Sequence, residues 1–331
     1  MAFGIGTSIG KLFVEIGADL KDFQSGLGQV NKDMAGLSGT VKKHSKTFKM
    51  AGVAMVGAAV GVSIAGLKMA ADFENAMRDV NTMMGLSQEQ FEDLSAQVLQ
   101  SAMDIGKAPE EMAKALYQVV SAGIPAGEAL EFLGTAARAS IGGVTDVETA
   151  VDGLTTVINA FGMDASEANR VADIMFTTVK GGKTTFEELS ASLFQVAPIA
   201  AASKVEFTEV AAALATMTKQ GVPTKVATTQ LRQAMVALAK PTADMQVAIT
   251  SLGYESGQAM LEEEGFAASI NLLRDYTEGS NEQLMKMFGS IEAGQAILAL
   301  TGDNATTFAD DLVAMEAASE GAGASWMLST R

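Results

Sequence analysis

Cysteine is absent from all 331 residues. That excludes disulfides, a thiolate nucleophile and any zinc site held by cysteine. A single histidine, His44, is present. Zinc chemistry of the HExxH kind therefore cannot be built, and a serine triad would have to recruit His44 from among lysines, with no motif placing an acid beside it. Aromatic residues make up only 6% of the chain, and no run alternates apolar and polar residues over any length. Sheets, which favour aromatic and β-branched residues in a period of two, are not expected. Positive charge is scarce as well: 23 Lys and Arg stand against 39 Asp and Glu, a net −16. An acidic surface without a basic groove repels nucleic acid, so no specific nucleic-acid binding is expected.

What is present is small or flexible apolar residues. Hydrophobic residues reach 48%, with 33 glycines and 20 methionines, a mixture that suits helices packed through small side chains. The fold class expected is all-α. The chain is long enough for a large core or two to three domains. Charge divides it unevenly. Residues 1–49 carry seven lysines against Glu15, Asp19, Asp22 and Asp33, a net +3, and residues 50–331 carry the remaining −19. Four parts follow: an amphipathic heptad arm over 1–49, an apolar Ala/Gly-rich helix over 50–71, an acidic multi-helix body over 72–320, and a flexible C-terminal end over 321–331.

In the arm, Phe13, Ile16, Leu20, Phe23, Leu27, Val30, Met34, Leu37, Val41, His44 and Phe48 alternate in steps of three and four. That 3.5-residue repeat is the coiled-coil pattern, from which only His44 departs. Glycines 17, 26, 28, 36 and 39 weaken the helix by about 1 kcal/mol each against alanine, so it needs a partner. Two partners fit: other copies in a homo-oligomeric coil, with the apolar positions as the oligomerisation seam, or the chain's own body. His44 reads as a solvated or register-setting residue.

From Met50 to Leu67, where arm and body meet, 18 residues carry no charge. That reaches the lower limit for a membrane span. Its alanines and glycines gain little in hydrocarbon, which makes insertion marginal. Gly57 and Gly61 form GxxxG, a motif for close helix approach, in a membrane or in a buried helix. Both readings stay open. The run begins some fifty residues in, which does not fit a signal peptide.

The body shows repeated helix-start signals. Ser87-x-x-Gln90, Pro109 followed by Glu110 and Glu111, Thr145-x-x-Glu148 and Thr185-x-x-Glu188 each satisfy free amides or the positive end of a helix. A further segment carries Thr208 and Glu209. Stops fall at Gly123, Gly162, Gly181-Gly182, Gly221 and Pro241. The starts at Pro109, Thr145 and Thr185 lie 36 and 40 residues apart, with partner helices expected near 125–140 and 164–180. This is helix-hairpin spacing.

Chemical motifs are mostly incomplete. Gly181-Gly182-Lys183-Thr184 resembles the end of a phosphate loop, but the motif needs glycine where Thr177 stands, and no strand precedes it. Ser63, in the apolar run, lacks the last glycine of a nucleophile elbow. Glu262, Glu263 and Glu264 read as a solvated cluster rather than a calcium site. No catalytic, metal-binding or cofactor-binding constellation emerges.

Several blocks, in order, resemble the core region of phage tail tape measure proteins. They are ADFENAMRDV at 71–80, AFGMDASEA at 160–168, VADIMFTTVKGGKTTFEELSASL at 171–193, ATTQLRQAMVALAKP at 227–241, SLGYESGQAM at 251–260 and FGSIEAGQAILALTGDNATTF at 288–308. The resemblance spans about 70–320. It implies a non-enzymatic virion protein that fills the tail tube lumen as a homo-oligomer, with host cytoplasm as its site of assembly. The implied partners are the tail tube protein, tail assembly chaperones and tail tip or baseplate proteins, with the host membrane a further one at DNA ejection. Its length would set tail length, and it would leave the lumen before DNA passes. Members are usually longer, so the sequence reads as a truncated form, a degenerate element or one portion of the ruler. Two other readings are a membrane-active pore former using 50–67 and a helical-repeat interaction scaffold.

Overall fold

Capping chemistry sets the helix boundaries. The computed structural model describes residues 64–321, and the first helix, α1, runs Ile64–Met84. At α2 (Gln88–Ile105) the amide of Gln90 donates to Ser87 Oγ, and the amide of Ser87 donates back to the Gln90 side chain. That reciprocal box satisfies two amides with no intrahelical partner. Pro109 opens α3 (Pro109–Ser121) at the first helical position, where its missing N–H is no loss. Then come α4 (Ala129–Gly142), α5 (Val147–Phe161), α6 (Ala168–Gly181) and α7 (Phe186–Leu193), the last capped by Thr185. After α8 (Ala197–Ala202) come α9 (Phe207–Lys219), α10 (Thr224–Ala239), α11 (Ala243–Ser251), α12 (Gly257–Tyr276), α13 (Asn281–Phe288), α14 (Ile291–Leu300) and α15 (Ala305–Glu320). Among the described residues there are two 3₁₀ turns and no strand. The all-α expectation holds.

Two boundaries differ from the sequence reading. The cap of α5 is Asp146, whose Oδ1 accepts the Thr149 amide at 2.6 Å, not Thr145. The turn before it explains why. Val144 takes φ 52°, and the Thr145 amide closes the end of α4 on Ser140 O at 2.9 Å. Thr145 is thereby used as the stop of one helix, and the start of the next passes to its neighbour. The stretch 185–203 also splits into α7 and α8. Pro198 has no amide to give to Phe194 O, and its ring crowds that carbonyl.

The helices stack in two rows. In one row α3, α5, α7 and α10 pack in sequence; in the other α4, α6 and α9 do. Consecutive units are tied by side chains 34 to 40 residues apart along the chain. The Val147 amide donates to Glu111 Oε1 at 3.2 Å, and Asn159 Nδ2 donates to Ala122 O at 2.9 Å. Thr184 and Thr224 hydroxyls meet at 2.7 Å, and Thr229 Oγ1 donates to Gln195 Oε1 at 2.8 Å. These pairs are separated by 36, 37, 40 and 34 residues, the hairpin spacing seen in the starts.

Helix α9 is the hub. Every residue from Phe207 to Thr218 is buried, and α6, α8, α10, α14 and α15 all pack on it. Its alanines at 211, 212, 213 and 215 let neighbouring backbones come close on every side. By chain contacts, the described residues from Ala71 onward form one unit. The oligomerisation positions Phe13, Ile16, Leu20, Phe23, Leu27, Val30, Met34, Leu37, Val41 and Phe48 lie outside the described residues, as do His44, Gly57 and Gly61.

Candidate functional site

Two clusters of buried polar groups stand at the ends of α9. Near its C-terminal end, Asp311 of α15 is only 7% exposed. Its Oδ2 accepts the Thr216 hydroxyl at 2.7 Å, and Lys219 Nζ reaches its two oxygens at 2.9 and 3.1 Å. Helix α15 depends on this anchor because its inward face is thin. Its buried side chains are Phe308, Asp311 and Met315, positions i, i+3 and i+7 of one stripe. Gly181 lies beneath; a Cβ there would sit 3.7 Å from both Ala215 Cβ and Asp311 Oδ1. One residue beyond α9, Gln220 Nε2 donates to Ala299 O at 2.7 Å, while Asn304 Nδ2 donates to Gln220 Oε1 at 3.3 Å. Gln220 thus satisfies a carbonyl near the end of α14 that has no partner within that helix.

At the other end of α9, Glu209 is buried against a break in α12. Its Oε1 accepts the amides of Phe266 and Ala267 at 2.8 and 3.0 Å. Burial pushes the Glu209 carboxyl above its ordinary range, and those two amides pull in the opposite direction.

The glycine pair at 181–182 serves packing. A Cβ on Gly182 would stand 2.5 Å from Thr218 Oγ1 and 3.1 Å from Ala215 Cα, so only glycine lets this turn approach α9. The Lys183 amide then donates to Thr218 Oγ1 at 3.2 Å. Its neighbour Thr184 is occupied with Thr224 and Glu188. Glu262, Glu263 and Glu264 are exposed, as expected of a solvated cluster. The Tyr254 hydroxyl donates to Glu264 at 2.5 Å, and that bond is the chief reason its phenol is pushed up to about 12.

Two adjoining clefts open beside α3 and α5, of about 320 and 470 Å³, sharing Gln118 and Glu148. The larger also presents Asp152 and Glu187, and burial raises the Asp152 carboxyl. Among the described residues no group of three or more acidic or histidine side chains is placed to hold a metal ion. Nor is any described helix long and apolar enough to cross a membrane. Polar side chains at the ends of α9 and between successive units cap helices and join them across the stack. The arrangement holds chain segments together.

Sequence reasoning did not find Asp311, Lys219 or the Glu209–Gly265 contact. The one local signal was a lone glycine, Gly265, inside an otherwise helical pattern.

Comparison with known proteins gives consistent matches. Residues 95–291 match the family model described as phage-related minor tail protein. The chain is 35% identical over 285 residues to a "Probable tape measure protein" of Clostridium phage phiCD119, a match that covers 83% of this chain and 30% of that one. It is 23% identical over 203 residues to a "Tape measure protein" of Pneumococcus phage Dp-1, covering 58% of this chain and 17% of that one. The chain thus spans less than a third of the length of either relative. No solved structure matches.

Proposed function

Since the chain belongs to the phage tail tape measure family, the phage-related minor tail proteins, we propose that it acts inside the tail tube, as the template on which the tube is built. In this reading several copies lie in the lumen, joined through the heptad arm over 1–49. Tail tube protein polymerises around them with the help of tail assembly chaperones, and one end engages tail tip or baseplate proteins. The copies leave the lumen at ejection, ahead of the DNA. The protein has no catalytic step and no cofactor in this role. The observation that carries the reading is the 35% identity over 83% of the chain to a tape measure protein.

Charge supports it. A net of −16 repels a DNA duplex of the same sign, which suits a lumen that DNA must pass through. Deleting the gene from the phage or prophage that encodes it tests the reading. Tails should be missing from lysates under the electron microscope, while heads assemble, and supplying the gene in trans should restore tails. Normal tails without the gene would refute the proposal.

A further inference from the structure

Helix α12 is broken at one residue, and the break is held from outside the helix. Gly265 takes φ 77° and ψ 175°, a region open to glycine almost alone. Residues on either side are helical, so one pair of torsions separates the observed element from an unbroken helix over Gly257–Tyr276. In an unbroken helix the amides of Phe266 and Ala267 would donate to Glu262 and Glu263 carbonyls. Here both donate to Glu209 Oε1 on α9. A capping side chain normally stands immediately before its helix; this one stands 57 positions upstream of Phe266. Ser269 Oγ spans the break, within 3.2 Å of Met260 O and 2.6 Å of Gly265 O.

The local sequence does not demand a break. Leu261 and the three glutamates before Gly265, and Phe266, Ala267 and Ala268 after it, are all compatible with helix. Two things select the bend: the Glu209 contact, and the burial of Met260 and Leu261 on one half with Phe266, Ile270 and Leu273 on the other. Alanine at 265 would be opposed twice, by the torsion and by a Cβ only 3.1 Å from Glu209 Oε1.

We propose that Gly265 is a hinge which Glu209 holds shut, and that α12 closes into one continuous helix when the α9 contact is withdrawn. Polar groups are satisfied in both forms. The carboxylate returns to water, and the two amides take carbonyls within their own helix. What the continuous form gives up is apolar burial, so the bent form dominates in the free chain and the continuous form is its minor state. This inference concerns the isolated chain and does not rest on the tail role.

The natural chain has no cysteine, so spin labels can be placed at Glu262→Cys and Asp275→Cys, both exposed positions. In a continuous helix their Cα atoms stand about 20 Å apart at the helical rise; the bend sets a different separation. The parent should show the bent distance with a minor component near 20 Å. Gly265→Ala and Glu209→Ala should each enlarge that component, the first by roughly tenfold, since alanine favours helix where glycine does not. Amide exchange in the unlabelled parent provides the second measurement, should a variant not fold. The Phe266 and Ala267 amides should exchange at least tenfold faster than those of α9, through an opening insensitive to low denaturant. A folded Gly265→Ala chain with the parent distance alone would overturn the hinge. So would Phe266 and Ala267 amides that exchange only together with α9.

Discussion

Lys219 Nζ stands 2.9 Å from Asp311 Oδ1, although the two residues are 92 positions apart in the chain. The contact fastens α15 to α9, with the Thr216 hydroxyl on the other oxygen. Asp311→Ala strips the partner from a buried hydroxyl and a lysine, and should destabilise the body by about 2–4 kcal/mol in urea unfolding. Lys219→Met keeps the apolar stem and leaves Asp311 its Thr216 bond. It should cost less, about 1–2 kcal/mol. Equal stability of Asp311→Ala and parent would show that Phe308 and Met315 hold α15 without help.

Gly153 and Ser190 form a close helix contact between α5 and α7. A Cβ on Gly153 would overlap Ser190 Oγ, come within 2.9 Å of Ser190 Cβ and within 3.1 Å of Met175 Cε. Gly153→Ala should therefore cost about 1–3 kcal/mol despite its better helix propensity. Ser190 Oγ is buried with no hydrogen-bond partner among the described residues. Ser190→Ala should be neutral or stabilise by about 1 kcal/mol. Thermal unfolding of both variants checks the pair, and the two shifts should have opposite sign or the second be close to zero.

Glu209 predicts a pH dependence. Its carboxyl is raised in the folded chain by burial, against the pull of the Phe266 and Ala267 amides. The folded state therefore binds this proton more tightly than the unfolded state does. The group is most favourable below the unfolded value of about 4.3, and its contribution turns against folding as pH rises through the raised folded value. Glu209→Gln removes the titration. Its stability relative to the parent should increase as pH rises from the unfolded value through the raised folded one, then level off. A difference that is flat across that range would contradict the assignment. Asp146 works with the other sign. The Thr149 amide lowers its carboxyl, so its capping contribution is present above the unfolded value and lost as pH falls through the lowered one.

The heptad arm predicts self-association. Deleting residues 1–49 should lower the oligomeric state in light scattering, and Leu27→Asp, which puts a charge in the seam, should do the same. A parent chain that is already monomeric, and unchanged by the deletion, would refute the coil.

The stack predicts where a ruler cannot lie. Residues 144–181 hold α5 and α6, and α5 touches α3, α4, α6, α7 and α8. Removing them should abolish assembly. If the body were instead threaded as the ruler, tails would form and shorten by up to about 57 Å for those residues at the helical rise. Well-formed tails of that shorter length, seen by electron microscopy, would place the ruler in the body.

Local chemistry made the helices legible before any coordinates. Ser87, Pro109 and Thr185 each open a helix in the structure, because a cap acts on amides within three residues of itself. The hairpin spacing of 36 and 40 reappears as bonded pairs such as Glu111–Val147 and Thr184–Thr224. Asp311 and Glu209 were invisible for the opposite reason. An aspartate on a polar helix looks solvated until the helix it faces is known, and nothing near Glu209 announces a break at Gly265. Val144 shows a third limit: a β-branched residue at φ 52° contradicts local preference, so propensity alone does not place that turn.

The even spacing of the cross-unit bonds also governs how this body would yield under tension. Successive units are tied at intervals of 34 to 40 residues, while α15 is fastened back onto α6 and α9. Load applied from beyond Glu320 falls first on α15, which is held by Phe308, Asp311 and Met315. Once α15 lifts, α9 loses one of its covers, and the load moves on to the remaining elements one after another. The body would then give way as a series of small ruptures from its C-terminal side, each releasing the length of the element that lifts.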